Sequence, residues 1–266
     1  MQSNNVPSRI TMRITNNSLS LAVVNQEATD QIDYEPVVVK SGISMAANLR
    51  NAFKESVLLE RPYARATVLI DTPVMLIPLE EFDEDEKTAV YRYAVTGHDA
   101  DLVAHCALPD ENAVAIFAVN KDLKMVIEDH IPDVRFRPLM YAVWSRFHRK
   151  SFSIGRHKLF VYFHDKRMEV FSFDKNRFQY SNVFDATSAQ DSVFFILYAW
   201  KQLGYSQRDD EILVMGETKY KDSLLEMLRR YVLKVHTVSM TAEFNRAPVT
   251  QLKGITLDMV CHFVKR

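Results

Sequence analysis

Glycine is the residue this sequence most lacks: six occur in 266 positions, roughly a third of the usual share of about 7%. Loops that cradle phosphate need glycine because their backbone turns with positive φ and must let amide groups come close to the ligand. Neither a G-x-G-x-x-G nor a G-x-x-x-x-G-K-[ST] pattern is present, which excludes the common glycine-loop nucleotide sites. Cysteine is nearly absent too. Cys106 and Cys261 are the two present, in no metal-like spacing, so neither a disulfide scaffold nor a zinc site is expected. Net charge is close to zero, at −1, and gives no overall pull toward nucleic acid or membrane. No apolar run approaches the roughly 20 residues that span a bilayer, so membrane insertion is not expected. The opening MQSNNVPSRITMRIT lacks the apolar centre of a signal peptide. Residues 1–8 read as a loose tail, and a cytoplasmic location is the expectation.

What is there is a hydrophobic share of 47% in 266 residues, enough to bury the core of one large domain or two ordinary ones. SLSLAVV (18–24) and YEPVVVK (34–40) have the pattern of strands joined by a polar connection. In SMAANLRNAFKESVLL, Met45, Leu49, Ala52, Phe53, Ser56 and Val57 recur at spacings of three and four, which predicts a helix. ATVLI (66–70) and VMLIP (74–78) follow as strands on either side of the Thr72-Pro73 break. EEFDEDEKTAVYRYAV reads as a helix with an acidic first turn, DLVAHCALP and AVAIFAV as strands, and KDLKMVIEDHI as a helix. RFRPLMYAVWSRF adds a strand and a helical turn. From about residue 151 the pattern restarts with KLFVYFHD, KRMEVFSFD and RFQYSNVFD, three alternating strands. A helix ending at Gly204 as its C-cap, the strand EILVMG, the helix YKDSLLEMLRRYV and the strand KVHTVSM come next. Pro248 then marks a break ahead of a last helix in ITLDMVCHFVKR.

Three antiparallel strands followed by alternating helix and parallel strand is the order of a ribonuclease-H-like unit, and a weaker version opens the first half. The expected fold class is therefore α/β, with two tandem ribonuclease-H-like lobes, each a mixed sheet flanked by helices. Residues 1–148 would form the first lobe and 149–266 the second. Two such units in tandem resemble the actin-like ATPase superfamily. ATVLIDTPVMLIPLEEFDEDEKTAVYRYAV is similar to the strand, break, proline-ended strand and acidic helix of the pilus-assembly and cell-division actin homologues. DENAVAIFAVNKDLKMVIEDHI resembles their next strand and helix. The chain is also identified with an uncharacterised Bacteroidetes family of actin-like fold.

That resemblance implies where a nucleotide would sit. Active members begin each half with a strand ending in an Asp-x-Gly type loop, whose amides hold phosphate and whose carboxylate organises a metal. The candidate stretches here, SLSLAVVNQEAT and KLFVYFHDKRMEVF, contain no glycine. Tyr162 and His164 stand where the second Asp and Gly would fall. EILVMGETKY resembles the family's adenosine loop, reduced to Gly216 with Glu217 after it. Gly216 and Glu217 are thus the candidate cofactor-binding residues, while no catalytic residue, metal or cofactor is expected.

Other clusters have weaker claims. Arg146, His148, Arg149, Lys150, Arg156, His157 and Lys158 form a basic stretch that could meet nucleic-acid phosphates, although a solvated connection between the halves suits it better. His105-Cys106 and Cys261-His262 could ligate a soft metal, but neighbours on a strand point to opposite faces, which favours structural roles. Asp71 stands at a strand's carboxyl end, where a base or ligand could lie, or a turn. EEFDEDE (80–86) lacks the glycine of a calcium loop. Large rings lie on both faces of the strands from Phe160 to Phe184, one face for the helices of the same half and the other for the first half or a partner. The functional expectation is a binding or scaffold protein with an unidentified protein partner. The alternative is a divergent nucleotide-dependent enzyme or switch with a cleft between the lobes.

Overall fold

The structure is a computed structural model and describes residues 9–152 and 155–264. In chain order it runs β1 (Arg9–Ile14), β2 (Leu19–Val24), β3 (Ile32–Val37), α1 (Met45–Glu55), β4 (Arg65–Ile70), β5 (Val74–Pro78), α2 (Lys87–Ala94), β6 (Leu102–Leu108), β7 (Ala113–Val119), α3 (Lys121–Glu128) and β8 (Asp133–Pro138). Then follow α4 (Tyr141–Ser151), β9 (Lys158–His164), β10 (Arg167–Asp174), β11 (Arg177–Asp185), α5 (Ala189–Gln202), β12 (Glu211–Gly216), α6 (Lys221–Arg229), β13 (Lys234–Thr237), α7 (Met240–Glu243) and α8 (Leu257–Phe263). Two compact units result. One takes the described residues of Met1–Ala107 with Val114–Tyr141 and Gln251–Ile255; the other takes Leu108–Ala113, Ala142–Thr250 and the described residues of Thr256–Arg266. The lobe boundary expected at 148/149 falls within α4, which lies almost wholly in the second unit.

The first unit is organised by a five-stranded sheet in the order β3-β2-β1-β4-β8. Its middle strand, RITMRI, is absent from the sequence reading because polar Thr11 and Arg13 break its apolar run. Ile10, Met12 and Ile14 alternate into the core beneath α1 and α3, and Thr11 and Arg13 are buried on the opposite face. β1 pairs antiparallel with β2 and parallel with β4, and β4 pairs parallel with β8. Helix α1 starts where the Ser44 side chain accepts the Ala47 amide at 3.2 Å, a cap whose loss costs about 1 kcal/mol. Strand β7 is buried along its whole length because both its faces pack. Phe117 and Val119 join the main core, while Ile116 and Ala118 face buried Tyr91 of α2. β7 is the centre of a separate three-stranded sheet, β5-β7-β6. Within EEFDEDE the helix starts later than the sequence suggests, at Lys87. Asp83 accepts the Asp85 amide at 2.9 Å, a local side-chain turn that competes with helix.

The second unit repeats the plan in a sheet ordered β11-β10-β9-β12-β13. One face carries α5 and α6 over Leu159, Val161, Phe163, Ile196 and Leu228. Helices of the same unit also cover the other face. Phe160 stacks on Phe171 at 5.2 Å and meets Phe147 of α4 at 5.6 Å, so the rings on both sides of β9 are core. Truncating a fully buried ring such as Phe147 would cost about 3–5 kcal/mol. Helix α5 ends as expected at Gly204, whose φ is +68. The Gly204 amide donates to the Lys201 carbonyl at 3.1 Å and the Tyr205 amide to the Trp200 carbonyl at 3.3 Å. Those two bonds form a Schellman ending. No helix among the described residues is long and apolar enough to cross a membrane.

Candidate functional site

Parallel strands and the helices after them bring loop residues and helix N-termini together at the sheet's carboxyl edge. In the first unit that edge holds a cavity of ≈ 310 Å³. Ile14, Thr15 and Asn16 enter it from the end of β1, and Ile70, Asp71 and Thr72 from the end of β4. Ser44 and Asn120, the N-caps of α1 and α3, line it as well. His98 Nδ1 lies 2.8 Å from Asp101 Oδ2, and Asn120 Nδ2 donates to Asp101 Oδ1 at 3.2 Å. The same Asn120 accepts the Leu123 amide at 3.1 Å. Asp71, noted in the sequence for its place after a strand, is buried here, and Asp122 adds a third carboxylate.

The loop Thr15-Asn16-Asn17-Ser18 links β1 to β2. This is the first hairpin of the unit, whereas the sequence reading took the later β2–β3 connection for it; the reason is the missed strand β1. Thr15 Oγ1 accepts the amides of Asn17 at 3.2 Å and Ser18 at 3.0 Å. Amides of the kind that hold an anion are thus taken up inside the turn. With three carboxylates and one histidine along the wall, the chemistry suits a cation or a neutral hydroxyl-rich molecule better than a phosphate.

At the corresponding edge of the second unit the hairpin is minimal. Asp165 and Lys166 alone separate β9 from β10, with φ of +43 and +67. Positive φ at both central positions is the mark of the tight turn that matches strand twist. Tyr162 is buried on the face away from α5, and its hydroxyl donates to Asp258 Oδ2 at 2.8 Å. Thr256 donates to Asp258 Oδ1 at 2.6 Å. His164 is buried next to it, its ring centroid 5.1 Å from that of Tyr162. Gly216 ends β12 with φ of +76, and a Cβ there would sit 2.1 Å from the Phe163 carbonyl oxygen. The close approach of β12 to β9 alone therefore requires glycine. The Glu217 side chain is 88% exposed, with Lys221 2.9 Å away. Lys221 also donates to the Gly216 carbonyl at 3.0 Å.

The basic stretch finds partners inside the second unit. Arg146 donates to the Glu243 carboxylate at 3.0 and 2.9 Å and to its carbonyl at 2.8 Å. Lys150 pairs with the other Glu243 oxygen. Arg149 lies 3.5 Å from Asp110, Arg156 lies 3.3 Å from Glu211, and Lys158 donates to the Lys150 carbonyl at 2.6 Å. His148 is buried, with Nε2 2.9 Å from the Lys175 carbonyl. Residues 146–151 of the stretch belong to α4, while the side chains of Arg149, Arg156 and His157 are more than half exposed.

The two cysteines belong to different units. Burial pushes the Cys106 thiol up to about 12 and that of Cys261 well above its ordinary value, so both stay protonated and unreactive. Their histidine neighbours make ring contacts, His105 with Phe82 and His262 with Phe263. Glu111 and Asp258 are among the buried carboxylates that no sequence pattern marks. Asp258 looks like the first turn of a helix, and Glu111 sits in PDEN, which looks like an exposed turn. Burial drives the Glu111 carboxyl above its usual range, against the pull of neighbouring Ser145 and His148, whose Nδ1 is 3.9 Å away. No local sequence signal marks either one.

Solved structures share this architecture. A protein of actin-like ATPase fold and unknown function from Bacteroides thetaiotaomicron is 22% identical, with a TM-score of 0.83 over 98% of this chain and 97% of that one. The pilus protein in the PilM-PilN type IV pilus biogenesis complex is 11% identical, with a TM-score of 0.53 over 90% of each chain. The ethanolamine utilization protein EutJ from Carboxydothermus hydrogenoformans is 11% identical, with a TM-score of 0.47 over 95% and 88%. Among curated proteins none matches in sequence. The fold is thus actin-like, as the order of elements led one to expect. The model of one family, "Protein of unknown function (DUF3822)", matches residues 2–235, and the chain belongs to that family.

Proposed function

We propose that this protein is a cytoplasmic binding or scaffold protein, built on an actin-like fold without working phosphate loops, that acts through contact with another protein. The observation that carries this is the second hairpin. Where an amide cradle would be needed, the turn is reduced to Asp165-Lys166, and Tyr162 with Asp258 fills the space behind it. In the first hairpin, Thr15 holds the amides of Asn17 and Ser18. The PilM-PilN structure is itself a protein complex, and the same kind of use is proposed here. No metal or cofactor belongs to this reading. Nucleic acid does not either, since the cations of residues 146–158 lie against carboxylates and carbonyls of their own unit. Gly216 and Glu217 remain the place where residual nucleotide contact would be sought.

A ligand at a hundred times its dissociation constant stabilises a fold by about 2.7 kcal/mol, which moves the melting temperature visibly. Millimolar ATP with magnesium should leave the melting curve unchanged, and no phosphate should be released. A shift of several degrees that a bulky block at this exposed loop position, Glu217→Trp, abolishes would replace the scaffold reading with the nucleotide switch. The first unit's cavity favours a second reading, capture of a small polar or cationic molecule by Asp71 and the His98–Asp101 pair. A rise in melting temperature with magnesium alone or with a small polyol, lost in Asp71→Asn, would point there instead.

A further inference from the structure

Helix α5, AQDSVFFILYAWKQ, is apolar on nearly every side. Its inner face, with Ile196, Ala199 and Trp200, belongs to the core. Phe194 and Tyr198 on the outer face remain 63% and 52% exposed. A helix hydrophobic all round is normally covered on both sides. With Tyr231 just beyond α6, 54% exposed, these rings border a groove of ≈ 580 Å³ between α5 and α6, floored by Leu197 and Met227. The first unit supplies an internal control. Its equivalent helices α1 and α3 turn Arg50, Lys54, Glu55, Lys121 and Glu128 to solvent, with Met125 as the exposed apolar residue on them. The two helix pairs have the same place in the same topology, so architecture does not dictate the aromatic face of the second.

Charge narrows what covers it. The charged residues lining the groove are Lys201 and Arg230, both cationic. Each lies at the C-terminal end of its helix, and the two helices run the same way because both lead into parallel strands. Arg230 is held by Glu226 at 2.6 Å, whereas no ion pair among the described residues engages Lys201. A second copy of this chain would bring the same cations and neutralise neither. The lining recurs along α5 at Phe194, Leu197 and Lys201, the three-and-four spacing that receives the ridge of a third helix.

We propose that the α5–α6 groove docks an amphipathic helix of a partner protein, one that sets two large apolar side chains between Phe194, Tyr198 and Tyr231 and a carboxylate at Lys201. This rests on the scaffold reading and names the partner's chemistry. The test uses the full-length protein and a phage-displayed library of helix-biased peptides of about 14 residues, or about four turns. Selection is repeated on Phe194→Asp, whose side chain is exposed and whose fold is checked by circular dichroism. Enriched peptides should pair apolar residues one turn apart with Glu or Asp. Their affinity, by fluorescence anisotropy, should fall at least about tenfold in Tyr198→Ala, as expected for a central aromatic anchor. Lys201→Glu should weaken binding, and a peptide with its acid changed to Lys should restore it. Enrichment no better than on Phe194→Asp, or affinity indifferent to Tyr198 and Lys201, would overturn the proposal. So would a dimer in sedimentation that Phe194→Asp dissolves, because the occupant would then be a second copy. None of these outcomes bears on the ATP melting experiment, so the scaffold reading stands or falls separately.

Discussion

The two hairpins that open the two sheets begin from the same topology and end differently. In the first unit Thr15 to Ser18 form a loop that reaches the rim of a cavity, and a threonine hydroxyl satisfies the loop's amides. In the second, Asp165 and Lys166 close the turn in the left-handed region, a tyrosine and a buried aspartate fill the space beneath, and glycine ends the neighbouring strand against a carbonyl. The contrast teaches that turn length and the side chain under the turn decide whether a sheet edge offers room to a ligand. The same sheet order serves an open edge and a filled one.

The sharpest way to break this contrast is at Gly216. Gly216→Val combines positive φ with a Cβ 2.1 Å from backbone oxygen, and it should cost more than about 4 kcal/mol or prevent folding. Ile70→Val at the corresponding strand end of the first unit should cost about 1 kcal/mol. Equal denaturation midpoints for the two variants would mean that backbone contact does not close the second edge.

A smaller effect is expected at Tyr162. Tyr162→Phe keeps the ring but takes one donor from buried Asp258, at a cost of about 1–3 kcal/mol. Thr15→Val, which removes an acceptor from a turn nearer solvent, should cost about 1 kcal/mol. Urea unfolding that ranks Thr15→Val as the more harmful would reverse the assignment of open and filled edges.

The smallest effect concerns a further buried carboxylate of the second unit, Glu111, and appears as a pH slope. Glu111 is raised above its ordinary 4.5, first by burial. Its burial is therefore tolerated at low pH, and stability is lost as pH climbs through the raised value. Glu111→Gln should melt near the parent at about pH 4 and increasingly above it toward about pH 7. A constant difference, or one that shrinks with pH, would show that His148 holds the carboxylate ionised.

Much of the fold was legible because period is a local property. VMLIP and EILVMG were read to their ends, and the capping glycine at 204 announced itself by its place after an apolar helix. The order of three strands, helix, strand, helix, strand in the second half marks a ribonuclease-H-like unit, and its weaker repeat in the first half points to the actin-like fold. RITMRI was not legible. A six-residue strand with threonine and arginine on one face looks half exposed, and only its central place in the sheet buries all but its first residue. The helix in EEFDEDE was read too early, because a side-chain turn and a helical first turn use the same acidic residues.

For the candidate site the division is similar. By itself the sequence shows that glycine is scarce, and the actin-like resemblance implies that Tyr162 and His164 lie where a carboxylate and a small residue would be needed and that Gly216 stands alone. These are matters of residue type at a position. Tertiary structure decided that Gly216 is held by the Phe163 carbonyl, that Arg146 and Lys150 meet Glu243 almost a hundred residues later, and that Glu111 and Asp258 are buried while Phe194 and Tyr198 are not. A charge or a ring takes its energy from what surrounds it. Contacts between distant parts of the chain set those surroundings, and no local pattern of residues encodes them.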